Sequence, residues 1–223
     1  SDTVLLTRTD HDFKGSRFLS EILRQVAAEC GTSLTMITIG DTGVVTSPSS
    51  SVKICELGWL VDKNELVDVY RLCDIFLMPS EFESFGMMAI EAMSCGKPVL
   101  ALDVPTSALP STIDSPRSGL AVRPELYAKT LIDLIQSPNE IEERGRRSLS
   151  YARETYDQNT YIKRMLDLYH AVMDDFVISD ESLRVLEQLK KHSCNYRKRV
   201  LQDTVKVSHF KQVLNNYKRY GLL

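Results

Sequence analysis

Short apolar runs alternate along the chain with stretches in which apolar positions recur every three or four residues. The first pattern predicts buried strands and the second predicts helices. The predicted strands are Thr3–Thr7, Leu34–Ile39, Val52–Leu57, Asp74–Met78, Val99–Leu102 and Ser118–Val122. The predicted helices are Arg17–Cys30, the segment after Asp62, the segment from Gly86 to Ser94, Pro124 to Gln136, Asn139–Arg153 and Gln158–Val177. This alternation predicts an α/β fold, with a parallel sheet and helices on both faces.

The stretch Pro79–Val99, PSEFESFGMMAIEAMSCGKPV, joins a buried strand to a helix through a polar loop. The N-terminus of such a helix presents unpaired N–H groups and the positive end of a macrodipole, which suits a phosphate. Glu83 lies in the loop and Glu91 is expected about two turns down the helix, where both carboxylates can accept hydrogen bonds from sugar hydroxyls. On the alternative interpretation, Glu83 caps the helix and Glu91 is solvated surface.

Two cations, Arg8 and Lys14, lie on the loop that follows the first predicted strand. They can reach a diphosphate held at the opposite helix N-terminus and neutralise its charge, or they are incidental charges on a solvated loop. The carboxyl ends of parallel strands share one edge of a sheet, so the loops that follow them gather there. This topology is expected to bring together the loops that carry Arg8, Lys14, Gly40, Gly58 and Glu83.

The composition is that of a soluble globular protein. The chain has 223 residues, of which 43% are hydrophobic and 26% charged, enough for one large domain or a domain with an appendage. No apolar run is long enough to span a bilayer and no signal-peptide pattern begins the chain, so a cytoplasmic location is expected. The five cysteines have no metal-ligand spacing, which indicates core fillers. Because the first residue is Ser, the chain is interpreted as a fragment, with a naturally short subunit as the alternative.

A basic tail follows the predicted domain. Residues 180–223 contain ten Lys and Arg against four Asp and Glu, although the whole chain has a net charge of −3. Apolar residues recur there at helical spacing, which predicts amphipathic helices that pack on this domain or on an absent partner domain. An anionic membrane surface is a second target for this tail. Nucleic acid is disfavoured because no recognition motif accompanies the charge.

Two segments of the chain resemble the signature of retaining glycosyltransferases of the GT-B fold, family 4 type (group 1). The first is Arg-x5-Lys-Gly, here Arg8 to Gly15. The second is a Glu-x7-Glu string, here Pro79-Ser80, Glu83, Phe85-Gly86, Glu91-Ala92-Met93 and Gly96-Lys97-Pro98. The resemblance implies that residues 1–178 form a Rossmann-like donor-binding domain, the C-terminal half of a GT-B fold, and that residues 179–223 form a helical tail. It also implies an acceptor-binding N-terminal domain that this chain lacks.

The resemblance assigns a role to each candidate residue. Arg8 and Lys14 contact the diphosphate of a nucleotide-diphosphate sugar, Glu83 lies near the transferred sugar, and Glu91 accepts hydrogen bonds from the ribose. The backbone of Phe85, Gly86 and Met87 contacts phosphate, and Gly58 and Trp59 line the base pocket. The implied reaction retains the anomeric configuration and needs no metal, and the leaving phosphate helps to deprotonate the acceptor.

The segment Ser107–Ser111, SALPS, departs from the family pattern Gly-Gly-x-Pro-Glu. Ser107, Ala108 and Ser111 replace the two glycines and the glutamate near the donor sugar, which puts the sugar contacts in doubt. The departure favours an alternative function, a noncatalytic nucleotide-sugar sensor or scaffold subunit. A nucleotide-sugar epimerase is a third hypothesis, and the Glu83/Glu91 string disfavours it.

Overall fold

Strands and helices alternate in the computed structural model of the chain, which describes residues 2–9 and 15–173. The strands are β1 (Thr3–Arg8), β2 (Leu34–Ile39), β3 (Val52–Glu56), β4 (Ile75–Met78), β5 (Val99–Leu102) and β6 (Leu120–Val122). The helices are α1 (Ser16–Glu29), α2 (Lys63–Leu72), α3 (Met87–Ser94), α4 (Leu109–Thr112), α5 (Pro124–Ile135), α6 (Pro138–Tyr156) and α7 (Gln158–Met173). All six predicted strands are present, and only the short helix α4 has no counterpart in the sequence prediction.

The described residues up to Asp157 form one compact unit, and α7 belongs to a second unit that begins at Gln158. The basic tail, residues 179–223, lies outside the described residues. Its helices, its contact with a membrane surface and the division of the chain at residue 178 therefore stay predictions. In the described part of the chain, no helix is long and apolar enough to cross a membrane.

The six strands form one parallel sheet in the order β3-β2-β1-β4-β5-β6. Each neighbouring pair is parallel, and Leu5 and Leu6 of β1 face Ile75 and Phe76 of β4 across the centre of the sheet. The chain builds the sheet outward from β1 to β3, crosses to the other side of β1, and continues outward from β4 to β6. This order confirms the predicted α/β fold and places a topological switch point between β1 and β4.

Each face of the sheet has its own hydrophobic core, because successive residues of a strand point to opposite faces. Leu5 and Leu77 pack with α1 and α5 on one face. Leu6 and Phe76 pack with α2, α3 and the end of α6 on the other. All four of these side chains are fully buried, so the strands contain continuous apolar runs rather than an alternating pattern.

The packing of α6 against α3 depends on a close backbone approach at Gly145. A Cβ atom added to Gly145 would lie 2.3 Å from the carbonyl oxygen of Gly96, which follows the end of α3. Because that oxygen belongs to the backbone, it has little freedom to move away. The approach fixes the end of α3, the helix that contains Glu91, against the middle of α6.

Because of this close approach, we expect Gly145→Ala to change the free energy of unfolding in the direction opposite to the usual one for glycine to alanine in a helix. In the interior of a helix, alanine normally stabilises a protein by about 0.8–1 kcal/mol relative to glycine. Here we expect Gly145→Ala to lower the free energy of unfolding by about 1–3 kcal/mol, because the added methyl group overpacks the contact with Gly96. Urea unfolding of both proteins measures the difference. Glu142→Ala, at an exposed position of the same helix, is the control and should stay within about 0.5 kcal/mol of the parent.

Candidate functional site

The loops that follow β1, β2 and β3 are joined by hydrogen bonds at the carboxyl edge of the sheet. The N–H of Thr9 donates to Ile39 O at 3.0 Å, and its hydroxyl donates to Asp41 O at 2.7 Å. The N–H of Gly40 donates to Gly58 O at 2.9 Å. Thr9, the turn at Gly40-Asp41 and Gly58 therefore lie side by side.

The loops after β1 and β4 meet at Gly15, the N-cap of α1. Gly15 has a left-handed conformation, with φ 81°, and a Cβ atom there would lie 2.1 Å from the carbonyl oxygen of Pro79. Both the backbone conformation and the space exclude a side chain. Gly15 therefore holds the start of α1 directly against the first residue of the loop that leads to α3. Beside this contact, Arg8, Ser80 and Met88 help to line a shallow depression at the switch point.

Helix α3 begins at a glycine. Its N-cap is Gly86, with φ 88°, which has no side chain of its own to cap the helix. The Glu83 side chain lies next to Gly86, where an added Cβ atom would be 3.7 Å from Glu83 Cγ, so a capping role for Glu83 stays a prediction. The N–H of Ala89 donates to Gly86 O at 3.0 Å, and the N–H groups of Met87 and Met88 precede this first intrahelical bond. Glu91 begins the second turn of α3, not its third, because residues 83–86 form a loop and the helix starts only at Met87.

Glu83 is held by the segment that departs from the family pattern. Glu83 and Ser107 form an isolated parallel β-bridge, in which the N–H of Ala108 donates to Glu83 O at 2.8 Å. The N–H of Ser107 donates to Val104 O at 3.0 Å, and that of Leu109 donates to the Ser107 hydroxyl at 3.3 Å. Three consecutive backbone donors of this segment are thus used within the protein, and α4 begins at the third.

Phe85 is fixed by α4 and by the end of α6. The Thr112 hydroxyl donates to Phe85 O at 2.6 Å, and the Tyr156 hydroxyl donates to Thr112 O at 2.8 Å. The rings of Phe85 and Tyr156 pack edge to face, with centroids 5.8 Å apart. The backbone of the loop before α3 is therefore held in place, although the Phe85 side chain is half exposed.

A second group of side chains surrounds the end of β1. The Arg8 guanidinium lies 5.7 Å from the centre of the Trp59 ring, within the range of a cation–π interaction. The Tyr70 hydroxyl, on α2, donates to Oε2 of Glu91 at 2.9 Å. Glu91 is half-buried and has this partner, so it is not simply solvated surface. Burial and the Glu91 carboxylate raise the pKa of Tyr70, whereas the nearby Arg8 charge opposes that rise.

The predicted site residues thus fall into two groups, both at the carboxyl edge. One contains Arg8, Trp59 and Glu91, and the other contains Glu83 and the loop before α3. Met87 and Glu91 are four residues apart on α3, so they share a face of the helix that links the two groups. Lys14 lies outside the described residues, and its placement at the phosphate stays a prediction.

Two residues that shape this edge were not predicted as site residues. Gly15 enters the sequence prediction only as the last residue of the Arg-x5-Lys-Gly match, and Tyr70 lies in the predicted helix after Asp62, where it takes an apolar position. A buried tyrosine needs a partner for its hydroxyl, and this requirement is the signal in the sequence that Tyr70 has one. The partner itself, 21 residues away in sequence, follows only from the fold.

A cavity of about 680 Å³ opens at the other end of the sheet, near the amino ends of β1, β4 and β5. Asp74, Lys97 and Arg146 are among its lining residues, and none of the predicted site residues is. The candidate site is therefore identified by the convergence of loops and helix ends, not by the volume of a cavity. Among the described residues, no three His, Cys, Asp or Glu side chains are grouped closely enough to hold a metal ion.

The family described as glycosyl transferases group 1 matches residues 2–137 of the chain. The D-inositol 3-phosphate glycosyltransferase of Streptomyces scabiei (strain 87.22) is 34% identical over 118 residues, which are 52% of this chain. The match spans only 26% of that relative's length.

Solved structures share the fold. The C-terminal domain of a glycosyl transferase group 1 family protein (LpcC) from Francisella tularensis superposes with a TM-score of 0.58 and 21% identity. This match covers 70% of the present chain and 87% of that domain. Anabaena HepE, in complex with UDP and glucose, superposes with a TM-score of 0.61 and 20% identity, over 76% of this chain and 48% of HepE.

The contact of Gly15 with Pro79 predicts a large loss of stability for Gly15→Ala. In the variant, alanine must adopt the left-handed conformation, which lowers the free energy of unfolding by about 1–2 kcal/mol. Its methyl group also clashes with the backbone oxygen of Pro79. Gly43→Ala is the matched control, because Gly43 has φ 74° but open space around its Cβ position. Urea unfolding should show Gly15→Ala to be less stable than Gly43→Ala by about 1–3 kcal/mol. Equal losses would show that the backbone conformation alone matters at Gly15.

Proposed function

The chain belongs to the glycosyl transferases of group 1, and from that premise we propose that it forms the donor-binding half of a retaining, family 4 type glycosyltransferase. Residues 1–178 bind a nucleotide-diphosphate sugar, and the sugar is transferred to an acceptor held by an N-terminal domain outside this chain. The observation that carries the proposal is the meeting of the start of α3, whose N-cap is a glycine, with Arg8 and Glu91 at the switch point.

The diphosphate binds between the start of α3 and the loop after β1. The backbone of Phe85, Gly86 and Met87 supplies N–H donors and the positive end of the helix dipole. Arg8 approaches from the end of β1, and Lys14 follows on the same loop. In this proposal the two cations, not a metal ion, neutralise the charge that develops as the diphosphate leaves.

The nucleoside lies between Glu91 and the loop after β3. Glu91 accepts hydrogen bonds from the ribose hydroxyls, since its carboxylate has a second oxygen besides the one bonded to Tyr70. Trp59 is 58% exposed, and Gly58 leaves open space beside it, so these two residues form a wall for the base. Arg8 packs on Trp59 and thereby joins the base wall to the diphosphate.

Glu83 positions the transferred sugar and stabilises positive charge at its anomeric carbon. The bond from that carbon to the diphosphate oxygen breaks while the acceptor oxygen bonds on the same face, and the released phosphate oxygen takes the acceptor proton. No protein nucleophile is required. Glu83 suits the positioning role because its backbone is fixed at the β-bridge with Ser107.

A second domain is supported by the lengths of the relatives. The chain spans about a quarter of the Streptomyces scabiei protein and about half of HepE, yet it covers most of the isolated C-terminal domain from Francisella. By itself, the chain is therefore expected to bind a nucleotide but to transfer sugar poorly or not at all. Efficient turnover by this polypeptide alone would contradict the need for a second domain.

The alternative is a noncatalytic sensor or scaffold subunit that binds a nucleotide sugar without transferring it. One observation favours it: the N–H groups of Ser107, Ala108 and Leu109 are engaged within the protein. They are not available to hold a donor sugar as the small residues of the family segment do. The start of α3 and Arg8 serve nucleotide binding equally well in both functions.

We expect UDP, GDP or ADP to raise the thermal unfolding temperature of the chain. A ligand at one hundred times its dissociation constant stabilises the native state by about 2.7 kcal/mol. Arg8→Ala/Lys14→Ala should lose this shift, since both cations are assigned to the diphosphate. Arg24→Ala, at an exposed position of α1 beside Glu21, removes a comparable cation and should keep the shift. An undiminished shift in the double variant would remove Arg8 and Lys14 from the phosphate site.

Turnover separates the two functions when the chain is joined to its N-terminal domain. In an enzyme, Glu83→Gln should reduce donor hydrolysis or transfer by about a hundredfold or more while nucleotide binding is kept, because the carboxylate charge acts mainly in the transition state. Glu81→Gln, at an exposed position two residues away, should leave the rate nearly unchanged. Nucleotide binding without turnover in the joined parent protein would favour the sensor.

A further inference from the structure

Tyr70 is a buried polar residue to which the proposed reaction gives no role. It lies near the end of α2, is 1% exposed, and packs edge to face on Phe76 of β4 with ring centroids 5.4 Å apart. These contacts fix the ring at the base of the site, beneath the switch point. The hydroxyl is therefore held at a defined position relative to α3.

The Tyr70 hydroxyl hydrogen-bonds to a side chain that is itself assigned to the ligand. It donates to Oε2 of Glu91 at 2.9 Å. Burial and the carboxylate raise the pKa of Tyr70 above its ordinary value, so the hydroxyl stays protonated and remains a donor at neutral pH. One oxygen of Glu91 is thus permanently engaged from inside the protein, and the other is left for a ligand.

A glutamate side chain has three rotatable bonds, and ordering it on ligand binding has an entropic cost. A hydrogen bond from a rigid, buried donor orders the carboxylate before the ligand arrives. The same bond satisfies an oxygen that would otherwise be desolvated without a partner. Arg8, whose charge acts on Tyr70, also lies over the Trp59 ring.

We propose that Tyr70 is a positioning residue, whose hydroxyl holds the Glu91 carboxylate in the orientation that accepts the ribose hydroxyls of a bound nucleotide. This inference rests on the proposed function, since it assumes that Glu91 contacts the ribose. It adds that ribose recognition depends on a residue of α2 that does not touch the ligand.

The chain contains a matched comparison in Tyr127 of α5. Tyr127 is fully buried, and its hydroxyl donates to the backbone oxygen of Leu100 at 2.8 Å. It packs in the core on the opposite face of the sheet, away from Glu91. Tyr127→Phe therefore removes a buried, hydrogen-bonded hydroxyl just as Tyr70→Phe does, but it leaves the proposed ribose contact intact.

The test measures the binding of three ligands to the full chain. They are the ribonucleoside diphosphate that binds most tightly among UDP, GDP and ADP, its 2′,3′-dideoxy analogue, and inorganic pyrophosphate. We expect Tyr70→Phe to lower the affinity for the ribonucleotide about tenfold, and to leave the affinities for the other two ligands within about twofold of those of the parent chain. Tyr127→Phe should leave all three affinities unchanged. Glu91→Asp keeps the charge but shortens the side chain, and it should show the same loss, selective for the ribonucleotide.

The outcomes separate this inference from the function on which it rests. If the parent chain binds no nucleotide, or binds the ribo and dideoxy forms equally, the proposed ribose contact fails and the role of Tyr70 fails with it. If the parent prefers the ribo form but Tyr70→Phe keeps that preference, only the role of Tyr70 is overturned. If Tyr70→Phe lowers the affinity for all three ligands equally, Tyr70 has only a structural role and the inference is overturned. Should Tyr70→Phe not fold, a Glu91→Asp variant without the selective loss overturns the inference.

Discussion

The reversal of strand order beside β1 is the constraint on which the rest of this structure depends. Since β2 and β3 are added on one side of β1 and β4 to β6 on the other, the segments that leave β1 and β4 must diverge to opposite faces. They separate from a single point, the contact between Gly15 and Pro79. The helices α1 and α3 therefore start beside the same gap, and no other pair of neighbouring strands in the described sheet offers this geometry.

The electrostatic character of the gap follows from this arrangement. Both helices begin at a glycine in the left-handed conformation, which contributes no capping side chain of its own, and the positive end of each helix dipole lies at this edge. Arg8 adds a full charge at the end of β1. Glu83 and Glu91 are close by but are each held by other parts of the protein. The edge thus combines donors for an anion with acceptors for hydroxyl groups, a combination that matches a sugar phosphate better than either group alone.

Sequence patterns determined most of the fold, because buried parallel strands are continuous apolar runs with sharp ends. Leu34–Ile39 and Val99–Leu102 have the same bounds in the prediction and in the structure. Helix α4 was missed, since a four-residue helix that begins Leu-Pro has too few positions to show a period. The depth of Glu91 was overestimated because it was counted over the eight residues from Glu83, four of which, residues 83–86, belong to the loop and not to α3.

The candidate site was less accessible to sequence reasoning than the fold. Arg8, Glu83 and Glu91 are predicted from residue types and spacing that fit an anion with hydroxyl groups, and the structure places them at the predicted edge of the sheet. The residues that hold them were not predicted, because their contacts join distant parts of the chain. Tyr70 reaches Glu91 across 21 residues, and Thr112 reaches Phe85 across 27. A tyrosine or threonine in an apolar segment looks the same in sequence whether it supports a site or only fills a core.

The β-bridge between Glu83 and Ser107 has a consequence for how such a site changes during evolution. The segment after β5 shares backbone hydrogen bonds with Glu83, and it continues into α4, whose Thr112 hydroxyl donates to Phe85 O. A substitution or insertion at Ser107–Ser111 therefore acts on Glu83 and on the loop before α3 together. The contact of Arg8 with Trp59 lies on the loops after β1 and β3, so selection can alter one wall of this edge while the other is inherited unchanged.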